Sequence, residues 1–133
     1  MDARRLPGLV CALVAPAAAL ADPSSSQTIL TDAALVAYAA APFDKAAMME
    51  RQVELGRHRG VPVVAEFPCS DVCPAYTLRI IHYAVAPGAA CDAAGGVTQA
   101  WQVPFGIGTR EERFCIPAPL ANGANPTDAS GRR

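Results

Sequence analysis

Val61-Pro62-Val63-Val64-Ala65-Glu66-Phe67 is the stretch that decides the fold class of this chain. It alternates, placing Val61, Val63, Ala65 and Phe67 on one face, and a period of two reads as a half-buried strand. Gly60 precedes it, and upstream of that glycine the pattern is helical. Thr31 is a fitting N-cap for a segment with Ala33, Ala34, Leu35, Val36, Ala37 and Tyr38, which Pro42 should end near Ala40. A second helix is expected from Asp44 as N-cap towards Arg57, because Ala46, Met49 and Val53 recur at i, i+3 and i+7. Arg57, His58 and Arg59 would lie at its C-terminal end, with Gly60 as a left-handed stop. That cluster reads as helix termination and solubility; its functional alternative is binding of an anion or an acidic partner.

Downstream of Phe67 the β character continues. Tyr76–Val85 is rich in β-branched and aromatic residues and ends at the Pro87-Gly88 turn. Gly95-Gly96 introduces a strand over Thr98–Ile107, in which Trp101, Val103, Phe105 and Ile107 share a face. Pro104 cannot donate to a ladder, which argues for an edge strand or a bulge. Gly106–Thr109 predicts a short hairpin connection into Glu111–Ile116, and no helix follows to make Gly106-Ile107-Gly108 a phosphate loop. Residues 121–133 are polar and rich in Asn, Gly, Pro and Ser, the composition of a disordered tail. Helices followed by strands predict an α+β domain over residues 31–120. In it, N-terminal helices pack on a small antiparallel sheet of three to four strands, stapled by disulfides.

The first 21 residues carry the parts of a secretory signal peptide. Arg4 and Arg5 supply the positive start, Leu6 to Leu20 is apolar, and Ala19-Leu20-Ala21 is a small-x-small cleavage triplet. The apolar run is short for a membrane span and is interrupted by Pro7, Gly8 and Pro16, so no span is expected in the mature chain. Residues 22–30 read as a flexible leader. Loss of Asp2, Arg4 and Arg5 on cleavage leaves the acidic groups two ahead of the basic ones, which excludes the electrostatic footprint of a nucleic-acid or anionic-membrane binder. The implied location is periplasmic or secreted.

Cys11 leaves with the peptide, and Cys69, Cys73, Cys91 and Cys115 remain, in a compartment where disulfides persist. Four cysteines allow three pairings. If strands 76–85, 98–107 and 111–116 form a meander, Cys91 and Cys115 meet at one end and Cys69 and Cys73 at the other. This predicts Cys91–Cys115 and Cys69–Cys73; Cys69–Cys115 with Cys73–Cys91, or Cys69–Cys91 with Cys73–Cys115, would follow from a different strand order. Closing about 25 residues stabilises by roughly 3.5 kcal/mol on the chain-entropy model, against roughly 2 kcal/mol for the five-residue loop.

The smaller contribution leaves Cys69 and Cys73 room for another role. On a helical turn they would lie on one side at i and i+4, as a disulfide or as two soft ligands for Cu(I). Cys69-Ser70-Asp71-Val72-Cys73-Pro74 after an apolar strand resembles the copper-binding segment of thioredoxin-fold copper chaperones that serve cytochrome oxidase. That resemblance implies copper as cofactor and a thiol site at Cys69 and Cys73. The chain departs from the pattern in having no histidine after His82 and a strand, not a helix, after the cysteines. Asp71 between them disfavours a thiolate, which Arg79 could offset if brought close.

Other candidates are isolated. His82 falls mid-strand with Tyr76, Leu78 and Ile80, and reads as a packed or hydrogen-bonded side chain. Glu66 is expected in solvent or paired with an arginine such as Arg79; a Glu66–His82 acid/base pair is conceivable without a nucleophile motif. Ser70 lacks the Gly-x-Ser-x-Gly context of a nucleophile elbow. Trp101 and Tyr83 could stack a ligand, with Trp101 the better core anchor. The expected function is a non-enzymatic binding or structural-interaction domain for an envelope or extracellular protein or a small ligand, without catalytic residues or cofactor. The alternative is thiol-redox or Cu(I) handling by Cys69 and Cys73.

Overall fold

The computed structural model describes residues 28–44, 51–68 and 78–132. The signal-peptide segment, most of the leader, and Cys69 and Cys73 lie outside the described residues. Helix α1 (Asp32–Ala40) comes first, then strands β1 (Gln52–His58), β2 (Val61–Glu66) and β3 (Leu78–Tyr83) and the short helix α2 (Ala89–Ala93). Two long strands follow, β4 (Gly96–Phe105) and β5 (Gly108–Pro117), then a single 3-10 turn (Ala118–Leu120) and the two-residue strand β6 (Thr127–Asp128). One sheet has four strands in the order β1-β2-β3-β6, and a second consists of the β4–β5 hairpin. The named strand pairs are antiparallel. The α+β expectation is met at this level: mostly antiparallel sheet, a few helices and a Cys91–Cys115 disulfide.

Helix α1 begins as read, with Thr31 Oγ1 accepting a hydrogen bond from Ala34 N at 3.1 Å. The expected second helix to Arg57 is replaced by β1. Gln52 and Glu54 are exposed while Val53 and Leu55 are half-buried, a period of two in the part of the segment that is described. Arg59 (φ 52°) and Gly60 (φ 83°) then form the two-residue loop between His58 and Val61, which pair across it. Positive φ at both loop positions is the type I′ hairpin turn, whose twist matches the strands. Gly60 supplies a left-handed conformation as expected, but to a hairpin instead of a helix end. A bulge between Glu54 and Gly56 bends β1.

The expected meander of three strands is also corrected. Strand β3 pairs with β2 and β6, not with β4. Alternate residues of β3 meet different partners. Residues 79, 81 and 83 of β3 face α1, and the even-numbered ones include His82, which meets Phe114 of the hairpin at 5.1 Å between ring centroids. Leu35 and Ala39 of α1, Val63, Ala65, Ile80, Ile81, Ile116 and Leu120 form the centre of one continuous core.

Residues 121–132 pack against the body where a disordered tail is expected. Asn125 is buried, donating through Nδ2 to Ile81 O at 2.9 Å and accepting from Ile81 N at 3.2 Å, so its amide completes the β3 edge as a strand residue would. Thr127 Oγ1 donates to Ala39 O at 2.6 Å. The polar residues that suggest disorder here serve as partners for backbone groups that would otherwise be unsatisfied. Asp128 closes the segment, accepting from Ser130 Oγ, Ser130 N and Arg132 N. Leader residues 28–30 are likewise held to β1, through Leu30 N to Arg57 O and Arg57 N to Thr28 O.

Cys91 in α2 and Cys115 in β5 join with 5.4 Å between their Cα atoms. Gly96 lies against this bridge: a Cβ there would sit 2.6 Å from Cys115 Sγ and 3.0 Å from Cys91 Sγ. Replacing Gly96 by alanine should therefore destabilise the fold by roughly 1–3 kcal/mol, read from urea midpoints. Cys91→Ser with Cys115→Ser should lower stability by about 3.5 kcal/mol in the same measurement. Hydrogen bonds from Ser130, and less from Arg132, hold the Asp128 pKa down at about 2 from 3.8. Its contribution is thus present above about pH 4 and is lost as pH falls towards 2. Asp128→Asn should raise amide exchange in residues 127–132 at neutral pH while leaving β2 protected.

Candidate functional site

Adjacent strand residues point to opposite faces, so His82 and Tyr83 of β3 belong to two different clusters. On the α1 side, His58 at the end of β1 is 1% exposed, with Nδ1 2.7 Å from the Tyr83 hydroxyl and Nε2 2.6 Å from Asp32 Oδ1. The carboxylate accepts, so His58 Nε2 donates to it; on the neutral ring the Tyr83 O–H donates to Nδ1. Arg59 Nη2 adds bonds to both Asp32 oxygens, at 3.2 and 3.0 Å. The hydrogen bond from His58 and the Arg59 charge hold the Asp32 carboxyl below its ordinary range, against a smaller opposing effect of burial. Burial raises the Tyr83 hydroxyl above its ordinary value.

Asp32, His58 and Tyr83 form a carboxylate–imidazole–hydroxyl relay, the order found in nucleophilic catalysis. Tyr83 is 1% exposed, and its ring lies beside the disulfide at Gly96. The relay therefore works as a clasp between the first turn of α1 and the ends of β1 and β3. The basic cluster is dispersed by the same arrangement: His58 turns inward, Arg59 pairs with Asp32, and Arg57 Nη1 donates to Gly60 O at 3.0 Å. Tyr83 is thereby removed as a stacking surface.

The other cluster is open to solvent. Glu66 on β2 pairs in register with Ile80, which places it on the His82 face. His82 Nε2 lies 2.8 Å from Glu66 Oε1, and Nδ1 lies 2.9 Å from Tyr83 O. Both partners accept, so both bonds are satisfied together when the imidazole carries both protons. Gln52 Nε2 donates to the same Glu66 oxygen at 3.4 Å. The His82 hydrogen bond holds the Glu66 carboxyl below its ordinary range, outweighing burial. Phe114 stacks tilted beside His82, and Trp101 lies 6.0 Å beyond it, half-buried. The side chains of Glu66 and His82 keep 28% and 12% of their exposure, so a ligand can reach the edge of this pair.

The sequence reading thus finds its conceivable Glu66–His82 pair assembled. Its suggested Glu66–Arg79 pair is not formed, because Arg79 sits on the opposite face of β3. Arg79 is buried and its Nη2 donates to the carbonyls of Tyr38 (2.6 Å), Ala41 (2.7 Å) and Ala39 (3.3 Å). Its guanidinium also lies 4.6 Å from the Tyr38 ring and 4.9 Å from that of Phe43. Burial lowers the Arg79 pKa. Asp32, Arg79 and the Tyr83 hydroxyl are the polar positions that sequence reasoning did not connect. The odd spacing of Arg79, Ile81 and Tyr83 was the available signal, once one face of that strand is assigned to a helix.

Among the described residues no group of three His, Cys, Asp or Glu side chains is placed to hold a metal ion. No helix among them is long and apolar enough to cross a membrane. A half-open cavity of about 330 Å³ lies between α1 and the C-terminal segment, lined by Val36, Ala40, Pro119, Asn122, Gly123 and Ala124 without a titratable group. No protein-family model, curated protein or solved structure matches the chain.

Because the Glu66 pKa is depressed, its pairing contributes stability that is present above the ordinary carboxyl range and lost as pH falls through the folded value. Glu66→Gln should cost roughly 1–2 kcal/mol at pH 7 and flatten the acid limb of a melting-temperature profile. Arg79→Lys, which cannot match the planar fork, should cost roughly 2–3 kcal/mol in urea unfolding.

Proposed function

We propose that this chain is an extracytoplasmic interaction domain, periplasmic or secreted, that binds an envelope or extracellular protein or a small ligand without turning it over. The observation that carries this reading is that both ring nitrogens of each described histidine are engaged by the protein itself. The Asp32–His58–Tyr83 relay is shut away from a substrate by burial, and His82, with an acceptor oxygen facing each ring nitrogen, presents no lone pair to one. The signal-peptide pattern and the Cys91–Cys115 bridge support the compartment.

The contact surface in this reading is the junction of the two sheets. Half-buried Trp101, backed by the buried Phe114 ring, offers ring area, and Glu66, His82 and Gln52 offer directional polar groups beside it. Aromatic bodies with a polar rim are the usual make-up of residues that dominate binding energy. The test is a titration of isotope-labelled protein with panels of oligosaccharides and peptides. Shifts should cluster at residues 66, 82, 101 and 114, and Trp101→Ala should weaken binding about tenfold with the near-ultraviolet circular dichroism otherwise retained. Turnover of an ester, peptide or thiol substrate that is abolished by His82→Ala would overturn the reading.

The second reading, thiol-redox or Cu(I) chemistry, rests on the Cys69-Ser70-Asp71-Val72-Cys73 spacing in the connection between β2 and β3. Replacing both cysteines by serine should then abolish Cu(I) binding or disulfide exchange and leave the melting temperature unchanged. A change in melting temperature alone would leave the pair a structural one.

A further inference from the structure

The β4–β5 hairpin exposes a strand edge whose charges complement themselves. Phe105 and Gly108 pair across the two-residue loop Gly106-Ile107, with Gly106 at φ 62°. Residues flanking such a loop form a hydrogen-bonded pair, and bonded pairs alternate from there along the ladder. Gly108, Arg110 and Glu112 therefore bond inward to β4, while Thr109, Glu111 and Arg113 direct their N–H and C=O groups outward. Among the described residues β5 pairs with β4 alone. Residues 108–111 and 113 are exposed, and residue 112 is half-buried.

We propose that this edge of β5 is a homodimer interface, in which β5 of a second copy adds antiparallel with its two-fold axis at Glu112. Outward groups can meet outward groups only in alternate registers, and charge selects among these. An axis at Glu111 sets Glu111 against itself, and an axis at Arg113 does the same for Arg113. An axis at Arg110 sets Glu111 opposite Thr109. The axis at Glu112 places Glu111 opposite Arg113 of the second copy, and Arg113 opposite its Glu111. Both pairs are hydrogen-bonded pairs that exchange two backbone bonds, with opposite charges on one face. Glu112 meets its own copy on the other face, but Arg110 already pairs with each Glu112 and lies 4.3 Å over the Phe105 ring. Among the described residues Glu111 and Arg113 have no ion-pair partner within the chain, so they are available to the copy.

The hairpin tip beside this edge is apolar. Ile107 is fully exposed and Phe105 is 46% exposed, where a turn would ordinarily carry polar residues. Pro104, buried on the outward edge of β4, has no N–H to offer a partner strand. The product is a short antiparallel ladder centred on residues 111–113, the exposed part of the edge, that joins the two hairpins.

This inference is independent of the ligand surface. The experiment is sedimentation of the mature protein over micromolar to millimolar concentration, with a charge cycle and a cysteine scan. A monomer–dimer equilibrium is expected. Glu111→Arg or Arg113→Glu alone should weaken it about tenfold or more, since each turns two attractive pairs repulsive, and the double exchange should restore it. Non-bonded antiparallel pairs lie about 4.5 Å apart at Cα, within disulfide reach. Glu112→Cys should therefore cross-link to the same position of a copy under mild oxidation, found by peptide mass mapping, while Thr109→Cys and Glu111→Cys should not. A monomer at every concentration, or cross-linking equal at all three positions, would overturn the proposal.

Discussion

A single buried guanidinium holds the helical layer to the sheet. Helix α1 carries no basic residue in its last turn, and apart from the Ala41 N–H bond to Tyr38 O its final carbonyls take their partners from outside the helix. Arg79 reaches them from β3, bringing a positive charge to the negative end of the helix and hydrogen bonds to three carbonyls. Thr127 adds its hydroxyl to Ala39 O, which ties the C-terminal segment to the same point. Among the described residues Arg79 Nε is the buried side-chain nitrogen left without a partner. The guanidinium is thus nearly, but not wholly, compensated. A charge buried in this way fixes one arrangement of helix, sheet and tail, since any other would strand it.

The rest follows from β3 having two covered faces. Its odd side holds Arg79, Ile81 and Tyr83 beneath α1, and the Asp32–His58–Tyr83 clasp fixes the far end of that helix. Its even side meets the hairpin and leaves the edge of the Glu66–His82 pair in reach of solvent. Both histidines bond to a carboxylate, and Asp32 is the more exposed of the two acids, but the His58 ring is 1% exposed where that of His82 keeps 12%. Exposure, not chemistry, separates the structural histidine from the functional candidate.

The hairpin is joined to the body at its base and exposed at its tip. At the base, the disulfide, Gly96 and the Tyr83 ring are so close that a side chain added at residue 96 would force its neighbours to shift. Towards the tip, the burial of Phe114 to Pro117 gives way to charged and exposed residues. A strand buried along one half and exposed along the other is rigidly anchored yet open at its edge, the arrangement suited to adding a strand from another chain.

Local pattern by itself determined much of this protein. Alternation gave the strand at residues 61–66, β-branched and aromatic content gave the one at 78–83, Thr31 gave the start of α1, and Gly106–Thr109 gave a hairpin connection that pairing narrows to Gly106-Ile107. The Cys91–Cys115 pairing also emerged, although from a strand order that proved incorrect. Where local signals served two periods, tertiary structure decided. Val53 fits a helical stripe and a strand equally, and a left-handed Gly60 suits a helix end or a type I′ turn; pairing with β2 selected the strand. Polar Asn125 and Thr127 read as solvated until β3 and α1 offered them unsatisfied backbone groups. Which carboxylate meets which histidine, and where Arg79 goes, depended on strand face and register. Those are properties of paired chains, and no single segment contains them.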